Sequence, residues 1–311
     1  MTLVLNASQT AACLPWRALV DEIALVLNDS TVQVPPRLVQ ALAGGGSLFV
    51  MPALDTSVAM TKLITFTPAN ANAGRPTIQG DVVVFDVATG ERRLVLDGPA
   101  VTARRTAAET VLAAMHLAPR TDGPLLIVGA GVQGTAHLQA FSEVLHVKDV
   151  VIASRSNASA QSLALRARSM GLTARVVPDA NKALADCPLA VVCTPASGIV
   201  LSTLPRSDAF VSAVGAFTPH MLELGPDLCQ HFAQHGSIWL DTPDARHEAG
   251  DLLQAGLDLQ HMATLHDVVS QNLQQANGPV LFKSCGWAGW DLAAARTALR
   301  QQHGVHGSAI D

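Results

Sequence analysis

Short apolar runs alternate with segments of helical spacing between residues 125 and 241. The runs read LLIVG at 125–129, VVIAS at 150–154, ARVV at 174–177, LAVVCT at 189–194, FVSAVG at 210–215 and SIWLD at 237–241. Runs of this length without polar alternation are typical of strands buried on both faces of a parallel sheet. Because helical segments separate them, they predict an α/β fold with a doubly wound parallel sheet.

The first part of the chain follows a different pattern. Residues 8–28 have apolar positions at roughly helical spacing, with Ser8 as the expected N-cap. Four strand-like runs separated by Gly, Pro and Asn follow, at 44–54, 57–68, 78–89 and 91–99. They predict an antiparallel region, and helical spacing returns at 101–117.

We therefore predict two domains. The first comprises residues 1–118 and is joined by a C-terminal helical segment, 288–311. The second is a Rossmann domain at 119–287, which the chain enters through the linker PRTDGP. A chain of 311 residues is long enough for both.

The first run of the second domain leads into the glycine pattern GxGxxG, formed by Gly129, Gly131 and Gly134. The first glycine permits a tight turn, the second allows the backbone to approach a pyrophosphate, and the third permits close packing of helix and strand. The amides of Val132 and Gln133 then belong to a helix N-terminus, which favours an anion. This context predicts a dinucleotide site.

The end of the next run indicates which dinucleotide binds. Ser154 and Arg155 stand about 20 residues beyond the glycines, where an NAD-specific site places a carboxylate. An Arg can bind a 2′-phosphate that an Asp would repel. With Asn157 close by, these residues predict a preference for NADPH, with NADH as a weaker alternative.

The composition argues against several classes of partner. The net charge of -5, the isoelectric point near 6.1 and the scattered Lys and Arg provide no basic patch for nucleic acid. No apolar stretch approaches the roughly 18 residues of a membrane span, and the N-terminus does not resemble a signal peptide. We expect a cytoplasmic protein. Only 14% of residues are charged, which extensive burial in an oligomer would explain.

Cysteine and histidine spacing indicates neither disulfides nor a metal. The five cysteines are dispersed and form no CxxC pair. His231 and His235 have i,i+4 spacing, but the sequence HFAQH lacks the Glu of a zinc protease. We expect no metal site.

Three cations in the first domain are candidates for substrate binding: Arg37, Lys62 and Arg105. Arg provides bidentate hydrogen bonds to a carboxylate, whereas Lys provides a compact charge. Taken singly, each fits a surface position better than a ligand-binding role. The neighbours of Lys62 are mostly apolar, so a strand would direct this side chain toward a covered face.

Four segments resemble the ornithine cyclodeaminase and mu-crystallin family. They are KLITFTPANANAGRPTIQGDVVVFDVATGERRLVLDG, VTARRTAAETVLAA, LLIVGAGVQGTAHLQAF and VLFKSCGWAGWDLAAA, and the resemblance spans roughly residues 30 to 300. It implies a homodimer with a substrate-binding and dimerisation domain beside a Rossmann domain.

The resemblance also implies roles for individual residues. Arg37, Lys62 and Arg105 would hold the substrate α-carboxylate, with Lys62 nearest the reacting nitrogen. Arg105 is preferred over Arg104 because the family motif places its Arg directly before Thr-Ala-Ala. Thr106, Thr194 and Ser284 would lie beside the cofactor, although each hydroxyl is also compatible with a structural role in a helix or turn.

One departure from the family pattern selects the reaction. Ornithine cyclodeaminases carry an Asp two residues after the glycine that corresponds to Gly215, and here that position is Phe217. A phenyl ring accepts no proton and forms no salt bridge with an ammonium group. We therefore predict an oxidoreductase of the ketimine reductase branch, in which Phe217 covers the ring of a cyclic imino-acid substrate.

The predicted reaction reduces Δ1-pyrroline-2-carboxylate to L-proline and Δ1-piperideine-2-carboxylate to L-pipecolate. Lys62, or a water that it orients, would supply the proton. Two alternatives remain open at this point. One is an amino-acid dehydrogenase of the alanine type, and the other is a non-enzymatic ligand-binding protein like some mu-crystallins.

Overall fold

The computed structural model describes residues 2–195, 197–271 and 278–307. The described chain divides into two compact units: residues up to Arg105 together with those from Trp287 onward, and Thr106–Gly286. The first boundary lies within a helix, whereas we predicted it at the linker that follows. Residues 1 and 308–311 of the predicted division lie outside the described residues.

The first unit is a six-stranded sheet with helices. Its strands are β1 (Leu3–Leu5), β2 (Leu38–Leu42), β3 (Gly46–Leu54), β4 (Val58–Phe66), β5 (Ile78–Asp86) and β6 (Arg92–Asp97). Its helices are α1 (Ala7–Ala12), α2 (Trp16–Asn28), the start of α3 (Gly98–Leu117) and α10 (Ala288–Gly307), with a 3-10 helix at Pro68–Ala73. The sheet order is β1-β6-β5-β4-β3-β2, and all neighbours are antiparallel except β1 and β6.

The predicted single helix at 8–28 is wrong, because the chain breaks before Pro15. Proline offers no backbone amide and restricts the residue before it, so α1 ends and α2 begins anew at Trp16. The N-cap of α1 is Asn6 rather than Ser8. The Asn6 side chain accepts from the Gln9 amide at 3.0 Å, and the Gln9 side chain accepts from the Asn6 amide at 3.0 Å.

One face of this sheet packs against α10, and α10 in turn packs against α2. Met51, Met60, Val82 and Leu96 are buried there, because alternate residues of a strand point to the same face. Lys62 occupies the same row of β4 as Met60, which places an ammonium group within an apolar layer.

Arg296 fastens α10 to this unit. Its guanidinium lies 2.7 Å from Asp29 and 2.5 Å from Asp55, and 3.6 Å from the buried Glu22. Burial raises the pKa of Glu22, and the attraction of Arg300 and Arg296 opposes this increase. Hydrogen bonds from Thr31 and Arg296 lower the pKa of Asp29 to about 2. This cluster holds the helix that carries Asp291.

The second unit is built around a seven-stranded parallel sheet. Its strands are β7 (Leu125–Val128), β8 (Asp149–Ala153), β9 (Thr173–Val177), β10 (Leu189–Val192), β12 (Phe210–Ala213), β14 (Ser237–Leu240) and β15 (Val280–Lys283). The order is β14-β15-β12-β10-β7-β8-β9, with every neighbouring pair parallel. The predicted doubly wound sheet is confirmed, but the insertion of β15 between β12 and β14 was not predicted.

Helices and a small second sheet surround the parallel sheet. The remaining elements are α4 (Val132–Val144), α5 (Asn157–Ser169), α6 (Ala180–Leu184), β11 (Ser197–Leu201), β13 (Leu222–Leu224), α7 (Pro226–His235), α8 (Gly250–Gln254) and α9 (Leu265–Gln271), with a 3-10 helix at Pro243–His247. Strands β11 and β13 pair in parallel.

Two further observations concern the whole described chain. All five cysteines are free thiols, and four of them are buried. Among the described residues, the structure has no helix that is both long and apolar enough to cross a membrane.

Candidate functional site

The glycine loop after β7 has the shape of a dinucleotide cradle. Gly129 has φ +112°, and a Cβ there would lie 2.6 Å from the Cys193 carbonyl oxygen. A Cβ on Gly134 would lie 2.1 Å from the Gly129 carbonyl oxygen, whereas at Gly131 nothing lies within 4 Å. The loop therefore packs tightly where the chain turns and stays open at its tip. This geometry fits a pyrophosphate at the N-terminus of α4.

A buried histidine, His137, connects the first turn of α4 to α3. Val132 is 70% exposed, while Gln133 is half-buried and its carbonyl lies 2.8 Å from Nδ1 of the buried His137. The other ring nitrogen of His137 lies 3.1 Å from the Thr110 hydroxyl. Burial lowers the pKa of His137 to about 4, so the ring is neutral and acts as a brace between α3 and α4.

The end of β8 places the predicted adenosine-side residues close together at the surface. Ser154 is half-buried and Arg155 and Asn157 are exposed. The Ser156 side chain caps α5 by accepting from the Ser159 amide. A cavity of about 710 Å³ lies between the glycine loop and α5, and Ala130 and Ser159 are among its lining residues.

In the first unit, Lys62 forms a buried ion pair with Asp291. Its Nζ lies 2.7 Å from Asp291 Oδ2, and the two side chains are 1% and 0% exposed. The Arg105 Nε lies 3.4 Å from the other carboxylate oxygen, Oδ1. One carboxylate therefore holds two of the three predicted cations.

The electrostatics of Lys62 also involve Arg37. Burial is the largest cause that lowers the pKa of Lys62, to about 8. The attraction of Asp291 opposes this effect, and the positive charges of Arg105 and Arg37 add to it. The structure thus brings Arg37 and Arg105 within electrostatic range of Lys62. An amine with a pKa near neutrality can hold a proton and also release it.

Arg104 faces a different environment from Arg105. Its Nε donates to the Leu14 carbonyl at 2.7 Å, and its guanidinium lies 3.8 Å from the ring centroid of Trp16. This contact explains Arg104 as a packing residue of the first unit.

The role of Asp291 was not predicted from the sequence. This residue lies within the motif VLFKSCGWAGWDLAAA, in the first turn of α10. The available signal was a lone acid among Trp290, Leu292 and a run of alanines, since a buried acid requires a partner.

The remaining predicted residues lie in the second unit. Thr106 is buried in α3, where its carbonyl accepts from the Thr110 hydroxyl. Phe217 is half-buried and packs against the apolar cluster that fills this unit. Thr194 and Ser284 follow β10 and β15, and both hydroxyls contact carboxylates. Thr194 Oγ1 donates to Glu223 at 2.7 Å, and Ser284 Oγ lies 3.3 Å from Asp241.

The chain belongs to the ornithine cyclodeaminase/mu-crystallin family, because the profile of that family matches residues 4–303. It is 38% identical over 308 residues to Δ1-pyrroline-2-carboxylate reductase 1 of Burkholderia multivorans, covering 96% of this chain and 95% of the relative. It is 37% identical to the Δ1-pyrroline-2-carboxylate/Δ1-piperideine-2-carboxylate reductase of Azospirillum brasilense, covering 95% and 94%. The resemblance drawn from the motifs is confirmed.

Solved structures share the fold. The Δ1-pyrroline-2-carboxylate reductase of Thermococcus litoralis, in complex with NADH and L-proline, matches with a TM-score of 0.88, 23% identity and coverage of 97% of this chain and 98% of that one. An archaeal alanine dehydrogenase dimer with bound NAD matches with a TM-score of 0.87, 21% identity and coverage of 98% and 97%. At these identities the likeness establishes the fold.

We predict that Asp291 maintains the pKa of Lys62. The chain has only four lysines, Lys62, Lys148, Lys182 and Lys283, so ¹³Cε-lysine NMR yields few signals. The signal that disappears in Lys62→Met should titrate at about 8 in the parent protein. In Asp291→Asn its midpoint should fall, because the carboxylate that favours the ammonium form is gone.

The exposed Asp149 provides the control, since Asp149→Asn should leave the Lys62 midpoint unchanged. A midpoint in Asp291→Asn equal to or above that of the parent would contradict the ion pair.

Proposed function

We propose that this protein is an NAD(P)H-dependent reductase of cyclic ketimine carboxylates. Its reactions convert Δ1-pyrroline-2-carboxylate to L-proline and Δ1-piperideine-2-carboxylate to L-pipecolate. The observation that carries this proposal is the pair of buried cations Lys62 and Arg105 on Asp291, with the half-buried Arg37 in electrostatic range of Lys62, in a chain whose 37–38% identical relatives bear these reductase names. The substrate is a small cyclic imino acid.

The cations account for substrate binding and proton supply. Arg37 and Arg105 suit a carboxylate, because guanidinium groups form charge-assisted hydrogen bonds with it. We assign Lys62, whose pKa is about 8, to the position nearest the imine nitrogen, where it would keep that nitrogen protonated, directly or through a water. When bound, a reduced nicotinamide cofactor would supply a hydride to C2 of the protonated imine. The C=N bond would become a C–N single bond, and the proton maintained by Lys62 would stay on the nitrogen.

Phe217 favours reduction over cyclodeamination. It offers no carboxylate to the second amine of ornithine, and it borders the apolar cluster of the second unit. An aliphatic ring loses little by contact with a phenyl side chain, whereas an ammonium group loses its hydration. We assign Phe217 to the surface that covers the imine ring.

The residues around the glycine loop and β8 support NADPH as the preferred cofactor. Gly129, Gly131 and Gly134 suit the pyrophosphate, and Ser154, Arg155 and Asn157 suit a 2′-phosphate. Arg155 is exposed at the end of β8, so its charge can reach an approaching phosphate. NADH remains a weaker alternative. We expect the enzyme to work in the cytoplasm, where such reduced cofactors are regenerated.

The outer face of the first sheet supports a homodimer. Leu38, Val50 and Leu63 are register partners across β2, β3 and β4, on the face opposite Lys62. Leu38 and Leu63 are 56% and 45% exposed. A row of exposed aliphatic side chains on a sheet is typical of a subunit interface, and a second copy of this chain is the proposed occupant.

We predict that both cyclic imines oxidise NADPH without ammonia. Lys62→Met should lower kcat/KM by about 10- to 100-fold, since a hydrogen bond from a charged group contributes ~1.5–3 kcal/mol. Lys148→Met removes an exposed lysine and should leave the rate unchanged.

Ornithine with NAD⁺ should yield no proline. Turnover that requires pyruvate and ammonia would indicate an amino-acid dehydrogenase instead.

Cofactor preference is tested at Arg155. Arg155→Asp removes a charge-assisted contact and adds repulsion, so the NADPH-to-NADH ratio of kcat/KM should fall on the order of 100-fold. Arg92→Asp makes the same charge change on an exposed side chain of β6, in the first unit, and serves as the control. An unchanged ratio in Arg155→Asp would remove this residue from the cofactor site.

The dimer is tested at Leu38. Leu38→Lys places a charge on the outer face opposite the apolar Val50, and analytical ultracentrifugation should show a shift from dimer to monomer because a buried unpaired charge opposes association. Leu165→Lys, at a 63% exposed residue of α5, should remain dimeric. A monomeric parent protein would refute the interface.

A further inference from the structure

Glu223 connects the segments that follow two central strands of the second unit. It lies in β13 and is fully buried. One carboxylate oxygen accepts from the Thr194 amide at 2.6 Å and from the Thr194 hydroxyl at 2.7 Å. The other accepts from the Gly215 amide at 2.7 Å. Thr194 follows β10 and Gly215 follows β12, so one side chain fixes both segments.

The fit around this carboxylate is close. A Cβ on Gly215 would lie 2.2 Å from the Thr194 carbonyl oxygen and 2.4 Å from Glu223 Oε1. A residue larger than glycine would push the two segments apart. Two backbone amides beyond the strand ends therefore depend on Glu223 as their acceptor.

Asp251, paired with Lys283, holds the backbone at Glu223. Asp251 Oδ1 accepts from the amides of Glu223 at 2.5 Å and Leu224 at 2.9 Å, and its Oδ2 lies 2.8 Å from Lys283 Nζ. Asp251 is 2% exposed and Lys283 is fully buried. One ammonium group thus faces two buried carboxylates.

The location of this cluster relates it to one half of a dinucleotide. Ligands of doubly wound sheets bind outside the carboxyl ends of the strands, where the strand order reverses. Here that point lies beside β7, with β8 on one side and β10 and β12 on the other. Arg155 follows β8 and marks the adenosine half. The segments that Glu223 joins therefore lie on the nicotinamide half.

We propose that Glu223, supported by Asp251 and Lys283, is a positioning residue that fixes the segments at Thr194 and Gly215 for the nicotinamide half of the cofactor. This inference rests on the dinucleotide binding in the proposed function. It assigns to these three residues a task distinct from holding the pyrophosphate.

Protonation of Glu223 gives the site a pH dependence. Burial, as the largest cause, raises the pKa of Glu223 to about 7, against the attraction of Lys283 and the hydrogen bonds from Thr194, while Asp251 adds to the increase. Burial likewise raises the pKa of the neighbouring Cys193 thiol, which stays neutral. The carboxylate is a strong acceptor above about pH 7 and weakens as the pH falls through that value. The nicotinamide half should loosen in the same range.

The test compares NADPH with 2′-phospho-ADP-ribose, which lacks only the nicotinamide. Glu223→Gln should raise the Kd of NADPH by about 10-fold or more, and that of the fragment by less than about twofold, because hydrogen bonds to a charged acceptor are roughly twice as strong as neutral ones. Asp227→Asn, an exposed acid at the start of α7, should change neither Kd. Calorimetry measures both ligands without turnover.

Equal weakening of both ligands, or no weakening of either, would overturn the proposal. If Glu223→Gln does not fold, both Kd values are measured over a pH series in the parent protein. The ratio of the NADPH Kd to the fragment Kd should rise as the pH is lowered through about 7. Both ligands carry the 2′-phosphate, so its own titration cancels, and a constant ratio would overturn the inference. A parent protein that binds neither ligand would refute the proposed function as well.

Discussion

The ion pair between Lys62 and Asp291 is the constraint on which the first unit depends. A lysine buried to 1% exposure in an apolar layer requires a counter-charge, since an unpaired buried charge costs several kcal/mol. The carboxylate comes from α10, near the other end of the chain, so the sheet can bury Lys62 only when this helix packs against it. Arg296 on the same helix secures it through Asp29 and Asp55. Folding of the first unit and ionisation of Lys62 are therefore coupled.

In the second unit, a buried carboxylate accepts hydrogen bonds from backbone amides that would otherwise be unsatisfied. The cradle of this unit depends on glycine at 129 and 134, where backbone segments approach too closely for a Cβ. At the ends of β10 and β12 the backbone donors are satisfied by Glu223, a buried carboxylate that is itself held by Asp251. Both units therefore place charged groups out of water and retain them through specific partners.

The sequence predicted elements with a strong local signal and missed those set by long-range contacts. Strand-like runs separated by Gly, Pro and Asn identified β3 to β6, and the glycine spacing identified the cradle. Short apolar runs identified β7, β8, β9, β10, β12 and β14, whereas β11 and β13 were not predicted. The position of β15 was not predicted, because strand order is not encoded in local periodicity. Asp291 and Glu223 were not predicted because each is one acid in an apolar segment, and local periodicity does not show that Asp291 meets Lys62 or that Glu223 meets Thr194. Pro15 indicated a helix break, but the helical spacing of the apolar residues around it led to the prediction of one continuous helix.

The pH dependence of kcat/KM for Δ1-pyrroline-2-carboxylate, measured in the parent protein and in Asp291→Asn, tests the central role of this pair most directly. If protonated Lys62 maintains the imine proton, kcat/KM falls as the pH rises through about 8 in the parent protein. In Asp291→Asn the fall should occur at lower pH, because the carboxylate no longer favours the ammonium form. The ionisation of the substrate is common to both proteins. Coincident profiles, or a parent profile that is flat between about pH 7 and 9, would contradict the account.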